Sequence, residues 1–202
     1  MTGIRVRNAG ERAVLLELPD NESARRVARA LRGLEGLVDV VPAHRTVLVT
    51  WSTGPRADEL VAVGEAALGD EQDVAPARLV EIPVDYAGDD LADVARLSSL
   101  SPEEVVARHV AGEYVVAFLG FAPGFAYLLG GDERLHVPRL PEPRPRVPAG
   151  SVALAGPYSG VYPRESPGGW RLIGRTTAVL FDPLRSPPAL LAAGDRVRFV
   201  AA

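Results

Sequence analysis

The sequence predicts an α+β protein, with a small α/β unit first and a mostly β unit after it. Three observations carry this. Residues 4–84 order their strand-like and helix-like segments as in a ferredoxin-like split βαβ layer. After Gly120 the texture changes to short apolar runs cut by glycine and proline. The 20 glycines and 18 prolines are unevenly spread, with five prolines between Pro138 and Pro148, which argues for many fixed turns in the second half.

Ile4 to Val6 is a short strand, and Ala13 to Leu18 a stronger one stopped by Pro19-Asp20. Asn21 is placed to cap the following helix, where Val27, Leu31 and Leu34 recur at spacings of four and three and form one apolar stripe. Arg25, Arg26, Arg29 and Arg32 fall on its other sides, as a solvated face or a binding patch. Val38 to Pro42 and Thr46 to Trp51 are two strands joined at Ala43-His44-Arg45, which puts His44 in an exposed turn and Trp51 in a core or interface. Thr53-Gly54-Pro55 breaks the chain. Ala57 to Leu68 suits a helix with Leu60, Val63 and Ala67 inward, and Ala77 to Val84 a last strand. The order is β-β-α-β-β-α-β, or β-α-β-β-α-β if the first strand is only an entry segment. Its sheet is expected to be antiparallel, with helices on one face.

Asp89 to Leu97 reads as a short helix. Ser101-Pro102-Glu103-Glu104 is a clearer start signal: Ser101 as N-cap, Pro102 as first helical residue and Glu104 as the reciprocal partner of a capping box. That helix runs to about Ala111 and ends near Gly112, before a strand over Glu113 to Leu119. Ser151 to Ala155, Trp170 to Gly174, Thr177 to Phe181 and Arg196 to Val200 are further short strands, the last following a turn at Ala193-Gly194-Asp195. Many short strands with frequent turns describe a barrel or a sandwich. The boundary between the two units is expected near Tyr86 to Asp90.

Composition removes several function classes. The chain has 202 residues, 47% apolar and 24% charged, with net charge -4, so it has no general attraction for nucleic acid or anionic membranes. It has no cysteine, which excludes disulfides, zinc–thiolate sites and thiol catalysis. No run approaches the roughly 18–20 apolar residues that span a bilayer. Met1-Thr2-Gly3-Ile4-Arg5 leads into no hydrophobic signal segment, and the expected location is cytoplasmic. There is no GxxxxGK[ST] loop and no HExxH, and His44, His109 and His136 have no metal-ligand spacing. Gly156-Pro157-Tyr158-Ser159-Gly160 is not the GxSxG of a nucleophile elbow.

The candidate chemistry lies between Leu119 and Thr176. Gly120 to Leu128 sets aromatic rings beside turn residues, suited to an apolar wall or to tight turn packing. Arg139, Arg144 and Arg146, in a proline-rich loop, suit a carboxylate or phosphate, or plain solvent. Gly150-Ser151 could offer backbone N–H groups to an anion. Gly160 to Trp170 is the densest cluster, with Tyr162 and Trp170 as apolar bodies bearing polar handles and Ser166-Pro167-Gly168-Gly169 as a sharp turn.

These segments resemble those of a known family. His109 with Tyr114, Leu119 to Leu128, Pro138-Arg139, Pro145 to Val152, Ser159-Gly160-Val161-Tyr162-Pro163, Ser166-Pro167-Gly168-Gly169-Trp170, Ile173-Gly174-Arg175-Thr176 and Leu180-Phe181-Asp182-Pro183 carry the likeness. Their order and register are similar to the family of the B-type subunit of prokaryotic 5-oxoprolinase, also described as KipI-like or allophanate hydrolase subunit 1. The resemblance implies a small ferredoxin-like α/β domain over residues 1–86 and a cyclophilin-like β-barrel domain over residues 87–202. It implies one component of an enzyme that opens 5-oxo-L-proline to L-glutamate with ATP hydrolysis. The partners would be the C-type subunit of 5-oxoprolinase, with a related barrel, and the A-type subunit, with ATP as cofactor of the complex. A regulatory branch resembles an inhibitor of a histidine kinase, and another amide or urea-type substrate is a further reading.

Carried over residue by residue, the resemblance implies His109, Ser159, Ser166 and Arg175 as catalytic candidates. It implies Phe121, Gly124, Phe125, Arg139, Tyr158, Tyr162, Gly168, Gly169 and Trp170 as substrate-binding candidates, and no metal. An arginine would hold the lactam's carboxylate or a phosphorylated intermediate. His109 could move a proton, its ordinary pKa being about 6.5, although a helical position equally suits a structural role. One departure stands out: the family pattern carries glutamine then threonine where this chain has Tyr158-Ser159, which keeps the hydroxyl and replaces the amide with a phenol.

Overall fold

The computed structural model describes residues 3–53, 57–70 and 77–202. The chain divides into two compact units, Met1–Pro76 and Ala77–Ala202. The first contains β1 (Arg5–Asn8), β2 (Ala13–Glu17), α1 (Asn21–Leu31), β3 (Leu37–Pro42), β4 (Thr46–Trp51) and α2 (Ala57–Gly69). Its sheet is antiparallel in the order β1-β2-β4-β3. Period-2 alternation buries Val14 and Leu16 of β2 and Val47 and Val49 of β4. Helix α1 adds Ala24, Val27, Ala28 and Leu31 to this core, while Leu34 lies beyond the helix and packs at its edge. On α2, Leu60 is buried and Gly64 lets Ile4 and Val27 close in; a Cβ there would meet Ile4 Cδ1 at 2.4 Å.

The cap of α1 is Asp20 rather than Asn21. Asp20 has the extended backbone an N-cap needs, and its carboxylate accepts from the Ser23 N–H at 2.8 Å. Asn21 starts the helix instead, and its buried amide donates to the carbonyls of Ala43 and His44 in the β3–β4 connection. Of the expected chain break, Gly54 and Pro55 lie outside the described residues.

The strand expected to complete this sheet belongs elsewhere. β5 (Leu79–Val84) pairs in parallel with β13 (Arg196–Ala201) over six residues, from Leu79↔Arg196 to Val84↔Ala201. The edge of β2 is already taken by β1, and β5 gains more by burying Ile82 and Val84 with Val197 and Phe199. The unit boundary therefore falls after Pro76, not after Tyr86.

The second unit continues with α3 (Leu91–Ser98), α4 (Pro102–Ala111), β6 (Tyr114–Leu119), β7 (Ala126–Leu129), β8 (Arg144–Val147), β9 (Ser151–Ala155), β10 (Tyr158–Val161), β11 (Ser166–Gly168) and β12 (Arg171–Arg175). Seven strands run in the order β12-β9-β10-β7-β6-β13-β5. The two ends meet where Asp85 and Arg175 exchange backbone hydrogen bonds of 2.8 Å in both directions, making a barrel-like closure. The seam continues as the N–H groups of Gly88 and Asp90 donate to Ile173 and Leu172. Glycine is needed here: a Cβ on Gly88 would stand 2.3 Å from the Ile173 carbonyl carbon. Closure also explains why Thr177 to Phe181 is not a strand. β12 pairs with β9 on one edge and with the 85–90 segment on the other, so no edge remains, and Phe181 makes only an isolated bridge to Ala189.

β9 is buried on both faces. Val152 and Leu154 face the main barrel core, while Ala153 and Ala155 belong to a second, aromatic cluster that also contains Val147 of β8. The proline-rich stretch is thus no loop throughout: β8 pairs with β11 as a two-stranded ribbon.

α4 begins as its sequence specifies, with both hydrogen bonds of the Ser101–Glu104 capping box and Pro102 in the first turn. Ser101→Ala is expected to lower stability by about 1 kcal/mol, read as a shift of the denaturant midpoint; no shift would mean the box contributes nothing to this helix. No helix among the described residues is long and apolar enough to cross a membrane.

Candidate functional site

The most enclosed polar group of the second unit is His109. It comes from α4, is fully buried, and packs against Phe199 at 4.4 Å, Tyr114 at 5.3 Å and Tyr86 at 5.7 Å between ring centroids. Nδ1 lies 2.7 Å from the Tyr86 hydroxyl and Nε2 2.9 Å from the Ser159 hydroxyl. Burial pushes the imidazole pKa down to about 3, so His109 is neutral near pH 7. A neutral ring has one N–H, so it donates one of these hydrogen bonds and accepts the other. Burial likewise pushes the phenols of Tyr86 and Tyr114 up, which keeps them protonated donors. The arrangement holds the Ser159 hydroxyl against the His109 ring.

Ser159 is itself buried, and a crevice of about 10 Å³, lined in part by Tyr114, Gly156 and Tyr158, leads toward it. That is room for one water. Tyr114 is clasped between Gly112 and Gly131, where an added Cβ would stand 2.7 and 2.8 Å from its ring. A shallow hollow of about 550 Å³ lies outside this, between α4 and the 130–132 segment, and the Arg108–Asp132 ion pair is on its wall.

The aromatic candidates gather on the other side of the β10 sheet. Tyr158 and Ser159 are adjacent in sequence and so point to opposite faces. Phe125 is the hub, with edge-on contacts to Tyr162 at 5.3 Å, Trp170 at 5.4 Å and the exposed Phe121 at 5.4 Å. Tyr158 meets Tyr127 at 5.4 Å and stacks on Trp170 at 6.4 Å and 22°, so its phenol, the departure noted above, belongs to this aromatic cluster, away from His109. The Arg139 guanidinium stands 5.9 Å above Trp170. Gly168 lets the Tyr162 phenol in: a Cβ there would be 2.3 Å from its oxygen.

The turn from Gly120 to Phe125 carries backbone strain at Phe121, which adopts φ 66° and exposes 60% of its surface. A left-handed non-glycine conformation costs about 1–2 kcal/mol, and displaying an aromatic ring on it marks the turn as a candidate contact point. Gly124 takes φ 80° and sits against Leu180 and Phe181.

Other candidates fall outside these groups. Arg175 is exposed on the closure seam, and among the described residues no hydrogen bond or ring contact joins its side chain to either group. Ser166 lies on the ribbon with its hydroxyl buried and unpartnered, so no neighbouring base can activate it. Gly169 accepts from the Leu140 N–H through its carbonyl. The N–H groups of Gly150 and Ser151 are not an anion nest, because they donate to the carbonyls of Tyr162 and Pro148. Sequence reasoning missed Tyr86, read only as a boundary residue, and Asp90, which is buried, accepts from the Leu172 N–H at 2.7 Å and pairs with Arg144 at 2.7 Å. No spacing in the chain signals either, since their partners lie far away in sequence.

Comparison with known proteins places this geometry. The profile of the carboxyltransferase domain, subdomain C and D, matches residues 4–191. The 5-oxoprolinase B-type subunit of Escherichia coli O157:H7 is 44% identical over 203 aligned positions, covering 95% of this chain and 93% of that protein. The protein of the same name from Bacillus subtilis (strain 168) is 56% identical over 126 residues, which covers 61% of this chain and spans only about half of that relative, 52%. The crystal structure of TTHA0988 is 40% identical with a TM-score of 0.81, covering 95% of this chain and 40% of that one. The K. lactis urea amidolyase, at 20% identity and a TM-score of 0.78 over 98% of this chain and 15% of that one, shares the fold. The chain belongs to the family of 5-oxoprolinase B-type subunits, within the proteins of carboxyltransferase subdomains C and D.

Proposed function

We propose that this chain is the B-type component of an ATP-dependent 5-oxoprolinase, working with the C-type and A-type subunits to open 5-oxo-L-proline to L-glutamate. The observation that carries the reading is the match to a 5-oxoprolinase B-type subunit along 95% of the chain. The geometry supports a shared rather than a self-sufficient site. A lactam is a poor electrophile, and its opening needs phosphoryl activation of the amide oxygen followed by attack of water. The chain has no GxxxxGK[ST] loop, its His109–Ser159 pair is enclosed, and its aromatic cluster is largely buried, with Phe121 and Arg139 exposed at its rim. ATP would therefore act at the level of the complex. Nothing on this face favours a kinase inhibitor over a hydrolase component.

Co-purification of the three chains, followed by measurement of glutamate release from 5-oxoproline with and without ATP, tests the reading. Release that requires ATP and is absent from the isolated chain is expected. Three folded, associated chains that release no glutamate would refute it.

A further inference from the structure

Four exposed large apolar side chains of the second unit lie on two adjoining segments. Leu119 and Phe121 come from the end of β6 and the turn after it, Val179 and Leu184 from the segment after β12. They expose 37%, 60%, 60% and 94% of their surface. The segments meet at Gly124, where an added Cβ would stand 2.6 Å from Phe181 Cβ and 3.0 Å from the Leu180 carbonyl oxygen. Single surface leucines need no explanation, but a group of this size on neighbouring loops does.

Both loops are held firmly. The Arg185 guanidinium donates to the carbonyls of Val179 at 3.3 Å, Pro187 at 3.3 Å and Pro188 at 3.0 Å. The Asp182 carboxylate accepts from the Leu184 N–H at 2.9 Å, and the Asp182 N–H donates to the Pro188 carbonyl at 2.9 Å. The Leu190 N–H closes the loop on the Leu180 carbonyl at 2.8 Å. Opposite, the turn keeps Phe121 at φ 66° with its ring edge-on to Phe125. Asp182 and Arg185 are the only charged residues from 179 to 190, and both are committed to their own loop's backbone. What the loops offer outward is therefore apolar. A surface set in place beforehand loses little conformational entropy when it is covered, so its apolar burial is not offset by ordering.

The distribution of the fold among relatives selects the occupant. The fold makes up 93% of the Escherichia coli relative but 40% of the TTHA0988 chain, at 44% and 40% identity. Contacts between domains of one chain are built like contacts between subunits. A protein joined to this fold in one relative is thus the natural occupant of its apolar surface when it is a separate chain.

We propose that Leu119, Phe121, Val179 and Leu184 form the docking surface for the C-type subunit, which presents an apolar recess to the Phe121 ring and the Leu184 side chain. The inference rests on the B-type reading for the identity of the partner.

The test is calorimetric titration of the full chain with the C-type subunit, with size-exclusion chromatography of the same samples. Leu184→Asp brings a charge into the recess, and Phe121→Asn removes the ring while keeping a residue that tolerates positive φ. Each should weaken association at least about tenfold with an unchanged melting temperature. Val38→Asp, on β3 of the first unit where Val38 is 67% exposed, should leave association unchanged. Unchanged affinity in both patch variants, an equal loss in Val38→Asp, or no association of the unsubstituted chain would each overturn the proposal. So would a self-associated chain that Leu184→Asp disperses while binding of the C-type subunit persists, since the surface would then belong to a second copy. Assembly that depends on the patch but yields no glutamate leaves the surface standing and removes the proposed function. ATP-dependent release by complexes that both patch variants form normally does the reverse.

Discussion

His109→Ala is expected to destabilise the second unit by about 4 kcal/mol, read from chemical denaturation. The substitution opens a cavity beside Phe199 and Tyr114 and strands two hydroxyls, on Tyr86 and Ser159, that now satisfy the ring. The same residue sets an acid limit. Folded His109 stays neutral down to about pH 3, whereas in the unfolded chain it titrates near 6.5. Between those values the unfolded state binds one more proton, so stability falls as pH falls, by at most about 1.4 kcal/mol per pH unit from this group. Asp20 and Asp132 have pKa values lowered mainly by backbone hydrogen bonds from Ser23 and Arg134, so their stabilisation is lost in a lower range, as pH drops below the ordinary carboxylate values. The interval from pH 6.5 to about 5 therefore isolates the histidine. His109→Phe, which refills most of the volume without a titrating group, should flatten the slope there. A slope equal to that of the unsubstituted chain would show that His109 is not its source.

Gly88→Ala is expected to cost about 3 kcal/mol or more and to loosen the barrel seam. The new methyl would press on the Ile173 backbone, and backbone atoms in a paired strand cannot step aside as a side-chain tip can. Relief requires breaking the donor bonds of Gly88 and Asp90 to β12, and with them the closure begun at Asp85 and Arg175. Hydrogen exchange should report faster exchange of the Asp85, Gly88, Asp90 and Arg175 amides than in the unsubstituted chain. Gly69→Ala, at the end of α2 where a Cβ would meet nothing within 4 Å, is the control and should neither destabilise the chain nor speed exchange at the seam. Unchanged exchange in Gly88→Ala would mean that the seam does not depend on this contact.

What could be read from sequence was local. The Ser101–Glu104 box, the stop at Gly112 and the alternation in β2 and β4 depend on residues within a few positions of one another, and the structure has them where the pattern puts them. The family motifs named several residues of both groups, among them His109, Ser159, Tyr162 and Trp170 but not Tyr86 or Phe199, because glycines such as Gly168 and aromatics such as Tyr162 leave distinctive signatures wherever a backbone must let a ring approach. Pattern could not say which sheet a strand joins. Residues 77–84 read as a strand in either unit, and only burial against Val197 and Phe199, more than a hundred residues away, assigned it to the barrel. Nor could pattern separate Tyr158 from Ser159: neighbours in the chain, they face an aromatic surface and a buried histidine because a strand turns alternate side chains to opposite sides. The helices, several of the strands and the list of candidates came from the sequence itself. Their sorting into an enclosed His109–Ser159 pair and a separate aromatic cluster, with Phe121 and Arg139 at its rim, was decided by tertiary pairing, since burial and hydrogen-bond partners are set by distant segments.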